Sequence, residues 1–261
     1  MLDSRSPPRR RLVLLAALAV LLAALVGVSV VVVRATGGSD PVVQDDPGPV
    51  LLVSGYGGST RSLEPLRSAL VRAGRDVVVV PPVGDGTGDL DEQADALGRR
   101  VDAAMDRFGA ASVDVVGYSA GGVVARAWVK DHDGDATARR VVSVGSPQHG
   151  TTVADLAVGL GGGCPAACRQ LAPGSRLLRS LNARDETPHG PSFVSVWSDD
   201  DDVVVPASSA RLRGALNLTV QSVCPDDRSR HGDLPSDPVV LALLTSALGR
   251  SAPAVPTHVP C

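Results

Sequence analysis

The chain has 261 residues, with 25 Lys and Arg against 28 Asp and Glu and a formal charge of −3. That near balance, with no basic run in the part expected to fold, argues against a nucleic-acid partner. Aromatic residues make up only 2% of the chain, so a core has to be built from Val, Leu and Ala, and Val-rich runs favour buried parallel strands.

Residues 1–11 form a basic segment carrying Arg5, Arg9, Arg10 and Arg11. Residues 12–33 follow as an uninterrupted uncharged apolar stretch, long enough to cross the hydrocarbon layer as a helix. The arginines place the N-terminus in the cytoplasm and the rest of the chain outside. The stretch reads as one N-terminal transmembrane helix or as a signal peptide. A signal peptide is normally shorter and ends in a small-x-small site, whereas Val32-Val33-Arg34-Ala35 puts a charge there. Both readings predict an extracytoplasmic domain, membrane-anchored or secreted.

Residues 34–48 are rich in Gly, Pro and Asp and read as a linker. A domain over 49–249 and a tail over 250–261 follow. In chain order, Val50–Val53 predicts a strand, and Leu63, Leu66, Leu70 and Val71 give Ser62–Ala73 a helical period. Val77–Val80 is a second strand, and Leu90–Phe108 a long amphipathic helix with Leu90, Ala94, Leu97, Val101, Ala104, Met105 and Phe108 on one face. Val113–Val116, Val141–Val144, Phe193–Trp197 and Leu216–Val220 are further strands, with helices over Gly122–Val129 and Pro238–Leu248. Strand alternating with helix predicts an α/β domain with a mostly parallel central sheet and helices on both faces. Residues 152–190 break the rhythm with Gly161-Gly162-Gly163, two cysteines and a helical piece near Ser175–Leu181. Such an insertion between two strands is a place where loops contribute to a binding site.

The four cysteines, Cys164, Cys168, Cys224 and Cys261, suit an oxidising compartment, where two disulfides have three possible pairings. Cys164 with Cys168 would pin the Gly-rich loop, and Cys224 with Cys261 would tie the last residue to the domain. A zinc site would need neighbouring ligands that Cys224 and Cys261 lack. No metal or cofactor is expected.

Gly117-Tyr118-Ser119-Ala120-Gly121 stands between a strand and a helix. In a chain with 28 glycines the G-x-S-x-G pattern alone is weak, and the strand–turn–helix context carries the weight. A nucleophile elbow forces its serine into a strained turn, and the flanking glycines avoid clashes with the neighbouring helix and strand. The segment GYSAGGVVAR resembles the elbow and following helix of bacterial α/β-hydrolase-fold lipases and esterases. Gly145-Ser146-Pro147-Gln148-His149-Gly150-Thr151 is similar to the G-[ST]-P-x-x-G-T segment of that family. The resemblance runs over about residues 50–248, the whole expected domain.

It implies a serine nucleophile at Ser119 and an oxyanion hole made by the backbone N–H groups of Ala120 and Tyr56. Tyr56 lies in Ser54-Gly55-Tyr56-Gly57-Gly58-Ser59, similar to the family's H-G-x-G-G loop, with Ser54 where His is common. The triad order of the fold, Ser then acid then His, selects His231 among the five histidines: His132 and His149 precede any acid loop, His189 precedes the strand before it, and His258 lies in the tail. Asp199, Asp200, Asp201 and Asp202 crowd the acid position. The likeness of residues 198–206 to the family's S-x-x-D-x-x-V-x-P loop selects Asp201, with Asp202 in reserve. The implied activity is carboxylic ester hydrolysis, on ester or lipid substrates, by a monomer. An envelope acyltransferase using the same triad, and a non-catalytic membrane-tethered binding module, are the alternatives.

Overall fold

The structure, a computed structural model, describes residues 42–160 and 163–261. The apolar stretch over 12–33 lies outside them. No helix among the described residues is long and apolar enough to cross a membrane.

Six strands form one sheet: β1 (Val50–Val53), β2 (Val77–Val80), β3 (Val113–Tyr118), β4 (Ala138–Val144), β5 (Ser192–Trp197) and β6 (Leu216–Thr219), in the order β2-β1-β3-β4-β5-β6. Every pairing is parallel. Strands β1, β3 and β4 are buried along their whole length, which is why their centres carry adjacent apolar residues, as at Leu51-Leu52, Val115-Val116 and Val141-Val142, and not an alternation. The period of two still sorts their side chains. Leu51, Val53, Val113, Val115 and Val141 enter one core layer; Val50, Leu52, Val116, Val142 and Val144 enter the other.

Helices α1 (Glu64–Arg72) and α8 (Pro238–Ala247) cover the second layer with Leu66, Leu70, Val240 and Leu244. Helices α2 (Leu90–Phe108) and α3 (Ala120–Asp131) cover the first with Leu97, Val101, Val123 and Ala127. Helix α2 starts where Asp89 accepts the Asp91 N–H and stops at Gly109, whose φ of 61° only glycine adopts readily. The insertion holds three short helices, α4 (Thr152–Gly159), α5 (Ala166–Gln170) and α6 (Arg176–Asn182), where the sequence indicated one. Helices of one or two turns are too short to show a hydrophobic period. A four-residue α7 (Val220–Val223) follows β6. The cysteines pair as Cys164–Cys168 and Cys224–Cys261.

At the N-terminal edge of the sheet lies a buried ionic cluster. Asp114, fully buried, accepts from Arg139 Nε at 2.9 Å and Nη2 at 2.5 Å and from Arg75 at 2.6 Å. The same two arginines donate to the carbonyl of Leu248, just after α8, at 2.9 and 2.7 Å. Arg139 also reaches Gln44 O at 2.8 Å, and Ser192 Oγ donates to Gln44 Oε1 at 2.9 Å. Residues 42–48, read from composition as the end of a linker, are thus fastened along this edge. Composition reports flexibility of an isolated segment and is blind to the carbonyl acceptors it offers buried arginines.

Candidate active site

Ser119 sits at the opposite, C-terminal edge, in the turn from β3 to α3, with φ 54° and ψ −125°. A side chain in this region carries strain that the surroundings must hold in place. Its N–H donates to Val144 O at 2.8 Å, fixing the turn to β4. The three glycines around it are sterically required. A Cβ at Gly117 would overlap the Gly121 carbonyl, one at Gly121 the Val53 carbonyl, and one at Gly122 the Ser146 hydroxyl. Gly122 was not singled out from the sequence, because its role appears only once β4 is in place.

The Ser119 hydroxyl lies 3.0 Å from His231 Nε2, and His231 Nδ1 lies 2.8 Å from Asp201 Oδ2. A carboxylate can only accept, so Nδ1 carries the ring hydrogen and Nε2 is left to accept from the Ser119 hydroxyl. His231 and Asp201 are both buried. The other Asp201 oxygen accepts from Val203 N at 2.9 Å and Val204 N at 2.7 Å. Asp199, Asp200 and Asp202 face water. Asp202 has Arg230 at 3.5 Å and Asp200 has Arg228 at 3.9 Å. Of the two acids left open by the sequence, the fold brings Asp201 to the histidine and leaves Asp202 at the surface. A carboxylate run cannot all be buried, and main-chain N–H donors select which member is.

The loop after β1 runs beside Ser119: a Cβ at Gly55 would come within 2.9 Å of the Ser119 Cβ. Among the described residues, the N–H groups of Tyr56 and Ala120 have no protein acceptor, the latter at the first turn of α3. The turn after β2 braces this loop. Gly57 N donates to Gly86 O at 3.2 Å and Gly58 N to Gly55 O at 3.0 Å, and a Cβ on Gly86 would strike the Gly58 backbone.

Two contacts to His231 were not legible in the sequence. Tyr118 stacks on its ring, and Gly145, with φ 55°, lies beneath its bond to Asp201. The remaining histidines lie elsewhere. His132 pairs with Asp91 at 2.8 Å, and His149 contacts Ser209 O at 3.2 Å and Glu186 at 3.5 Å. Among the described residues no group of His, Cys, Asp and Glu is arranged to hold a metal ion.

The insertion is held to α3 at one end. Buried Arg126 donates to Gln148 Oε1 at 2.9 Å and to Asn182 Oδ1, and Asn182 Nδ2 donates to Gln148 O at 3.1 Å. Burial pulls the Arg126 guanidinium down to about 10. One turn on, Lys130 Nζ lies within 3.2 Å of the carbonyls of Ser180, Leu181, Ala183 and Asp185 at the end of α6. Helix α4 is different. It joins the acid loop through Thr152 N to Val205 O at 2.8 Å, and leaves Val153, Leu156 and Val158 exposed.

The elbow, the parallel sheet and the loop order meet a known pattern: residues 48–161 match the family described as alpha/beta hydrolase fold. This chain has the α/β-hydrolase fold. Its structure is similar to lipase B of Aspergillus fumigatus, with a TM-score of 0.66 and 20% identity over 83% of this chain and 56% of that one. It is also similar to the mature lipase BlEst2 of Bacillus licheniformis, with a TM-score of 0.64 and 18% identity over 81% and 94%. An extracellular alpha/beta-hydrolase from a Paenibacillus species matches with a TM-score of 0.51 and 14% identity over 78% and 100%. The chain spans about half the length of the fungal lipase and nearly all of the mature bacterial one.

Proposed function

We propose that the protein is a serine hydrolase that cleaves carboxylic esters through an acyl-enzyme, with Ser119, His231 and Asp201 as its triad. The observation that carries this is the continuous chain from the Ser119 hydroxyl through His231 to Asp201, at 3.0 and 2.8 Å. His231 takes the Ser119 proton as the oxygen attacks the ester carbonyl, and Asp201 orients the ring and stabilises its cation. The N–H groups of Tyr56 and Ala120 receive the oxyanion; each such donor contributes on the order of 10²–10³ in rate. His231 then protonates the leaving alcohol, and water resolves the acyl-enzyme with the roles reversed.

Lipid acyl esters are the favoured substrate class, supported by the lipases among the similar structures. The basic N-terminal segment, the apolar stretch over 12–33, two disulfides and the likeness to an extracellular hydrolase support an exported enzyme, held at the membrane or released from it. The test is fluorophosphonate labelling together with turnover of a panel of ester chain lengths, for wild type and Ser119→Ala. The expected outcome is labelling and turnover that vanish together in the variant. Folded wild-type protein with no Ser119-dependent labelling would overturn the proposal, and acylation of an added alcohol in place of acid release would redirect it to acyl transfer.

A further inference from the structure

Tyr118 is the last residue of β3 and the immediate neighbour of Ser119. Its hydroxyl donates to the main-chain carbonyl of His231 at 3.0 Å. Its ring stacks on the His231 imidazole, with centroids 5.2 Å apart and planes at 29°. Only 9% of the residue is exposed, so it offers almost no surface to a substrate. Its contacts go to the histidine.

His231 needs such a holder. It lies in an irregular stretch between α7 and α8, where no regular strand or helix fixes its backbone. Asp201 and Ser119 each contact one ring nitrogen, but two hydrogen bonds at the ring edge leave its plane free to tilt about the line through them. The Tyr118 hydroxyl fixes the main chain below the ring, and the aromatic face fixes the ring plane. Because Tyr118 and Ser119 are adjacent on a rigid strand end, the residue that sets the histidine's position is bonded to the residue the histidine must reach. We infer that Tyr118 is a positioning residue for His231, coupling the placement of the base to that of the nucleophile. The inference rests on the reading of Ser119 and His231 as nucleophile and base.

Two chemical properties of the phenol suit the task. It is pushed up to about 12, chiefly by burial and further by Asp201, Asp233 and Asp202. It therefore stays an O–H donor at any pH where the neutral histidine works as a base. The π face, within about 6 Å of the imidazole, attracts the ring when it becomes cationic in the transition state. The first contact is lost in Tyr118→Phe; both are lost in Tyr118→Leu.

The experiment measures kcat and KM on a short nitrophenyl ester and the rate of fluorophosphonate labelling, per site titrated to completion for wild type, Tyr118→Phe and Tyr118→Leu, and per mole of protein for Ser119→Ala. The expected order of kcat is wild type, then Tyr118→Phe, lower by about 3- to 10-fold as for the loss of one hydrogen bond, then Tyr118→Leu lower again. KM stays level, and the labelling rate falls in step with kcat. A role confined to folding would reduce the number of titratable sites and leave kcat per site unchanged. Wild-type kcat per site in both Tyr118 variants, with Ser119→Ala inactive, would reject the positioning role while leaving the triad standing. A fall expressed entirely in KM would also reject it, in favour of substrate contact. Unchanged turnover and labelling in Ser119→Ala would remove the reading on which both rest.

Discussion

Asp201 divides its two carboxylate oxygens between His231 and its own loop. Oδ2 lies 2.8 Å from His231 Nδ1, and Oδ1 accepts from Val203 and Val204 N–H at 2.9 and 2.7 Å. The main-chain donors hold the group aimed, so the histidine receives a fixed acceptor. Replacing it by Asn keeps an oxygen for the loop amides but can present an N–H to Nδ1, forcing the ring hydrogen onto Nε2. Asp201→Asn is expected to lower kcat by on the order of 10⁴. Asp202→Asn, at an exposed site, should stay within about twofold of wild type. Steady-state ester hydrolysis decides between them; a larger loss at position 202 would reassign the acid.

Gly145 supplies the floor under that pair. A Cβ there would stand 2.6 Å from Leu234 Cδ1 and 3.3 Å from both Asp201 Oδ2 and His231 Nδ1, at a φ of 55°. The methyl group cannot enter without displacing Leu234 or the two polar groups. Gly145→Ala should therefore cost kcat by roughly 10²-fold, the scale set by a misplacement of about 1 Å in a catalytic group. Crystallography of the variant would show the displaced ring; wild-type kcat in a folded variant would show that Leu234 absorbs the methyl instead.

The parallel sheet could be read from the sequence because buried strands in such sheets are continuous apolar runs, and the elbow because its glycines are imposed by contacts as local as Gly117 against Gly121. The choice of Asp201 over Asp202 could be suggested only by likeness. What turns Asp201 toward His231 is the pair of Val203 and Val204 N–H groups, whose direction depends on the loop path. Tyr118 and Gly145 were illegible as partners of His231 because each contact joins segments about a hundred residues apart. The fastening of residues 42–48 escaped composition for a similar reason: its donor Arg139 lies 95 residues from Gln44 and is buried, and Arg75 reaches Gly48 from 27 residues away.

Asp114 and Arg139 provide a control for stability without catalysis. They lie at the N-terminal end of β3 and β4, while Ser119 follows the C-terminal end of β3. Removing the carboxylate strands the buried Arg139 guanidinium and takes a partner from the partly buried Arg75. Asp114→Ala is expected to lower unfolding free energy by about 3–5 kcal/mol, with turnover per titrated Ser119 site unchanged. Urea unfolding and active-site titration measure the two effects separately. A fall in turnover per site would mean that the edge cluster reaches the elbow through the strand.

Tyr118 also makes stability depend on alkaline pH, and the sign is fixed by its shift. The phenol ionises at about 12 in the folded chain against an ordinary value of 10.0, first because of burial and then because of Asp201, Asp233 and Asp202. The native state thus resists losing this proton more than the unfolded state does. The associated stability is fully present below pH 10 and drains away as pH rises from 10 toward 12, where the unfolded phenol is ionised and the folded one is not. Tyr118→Phe has no proton to lose there. Its thermal midpoint should decline less steeply than that of wild type across this window, while the titration of every other group is shared by the two proteins. The difference in phenolate absorbance between them should rise near pH 12. Parallel declines in midpoint, or a difference spectrum that appears near pH 10, would show that the hydroxyl is hydrated and does not hold the His231 carbonyl.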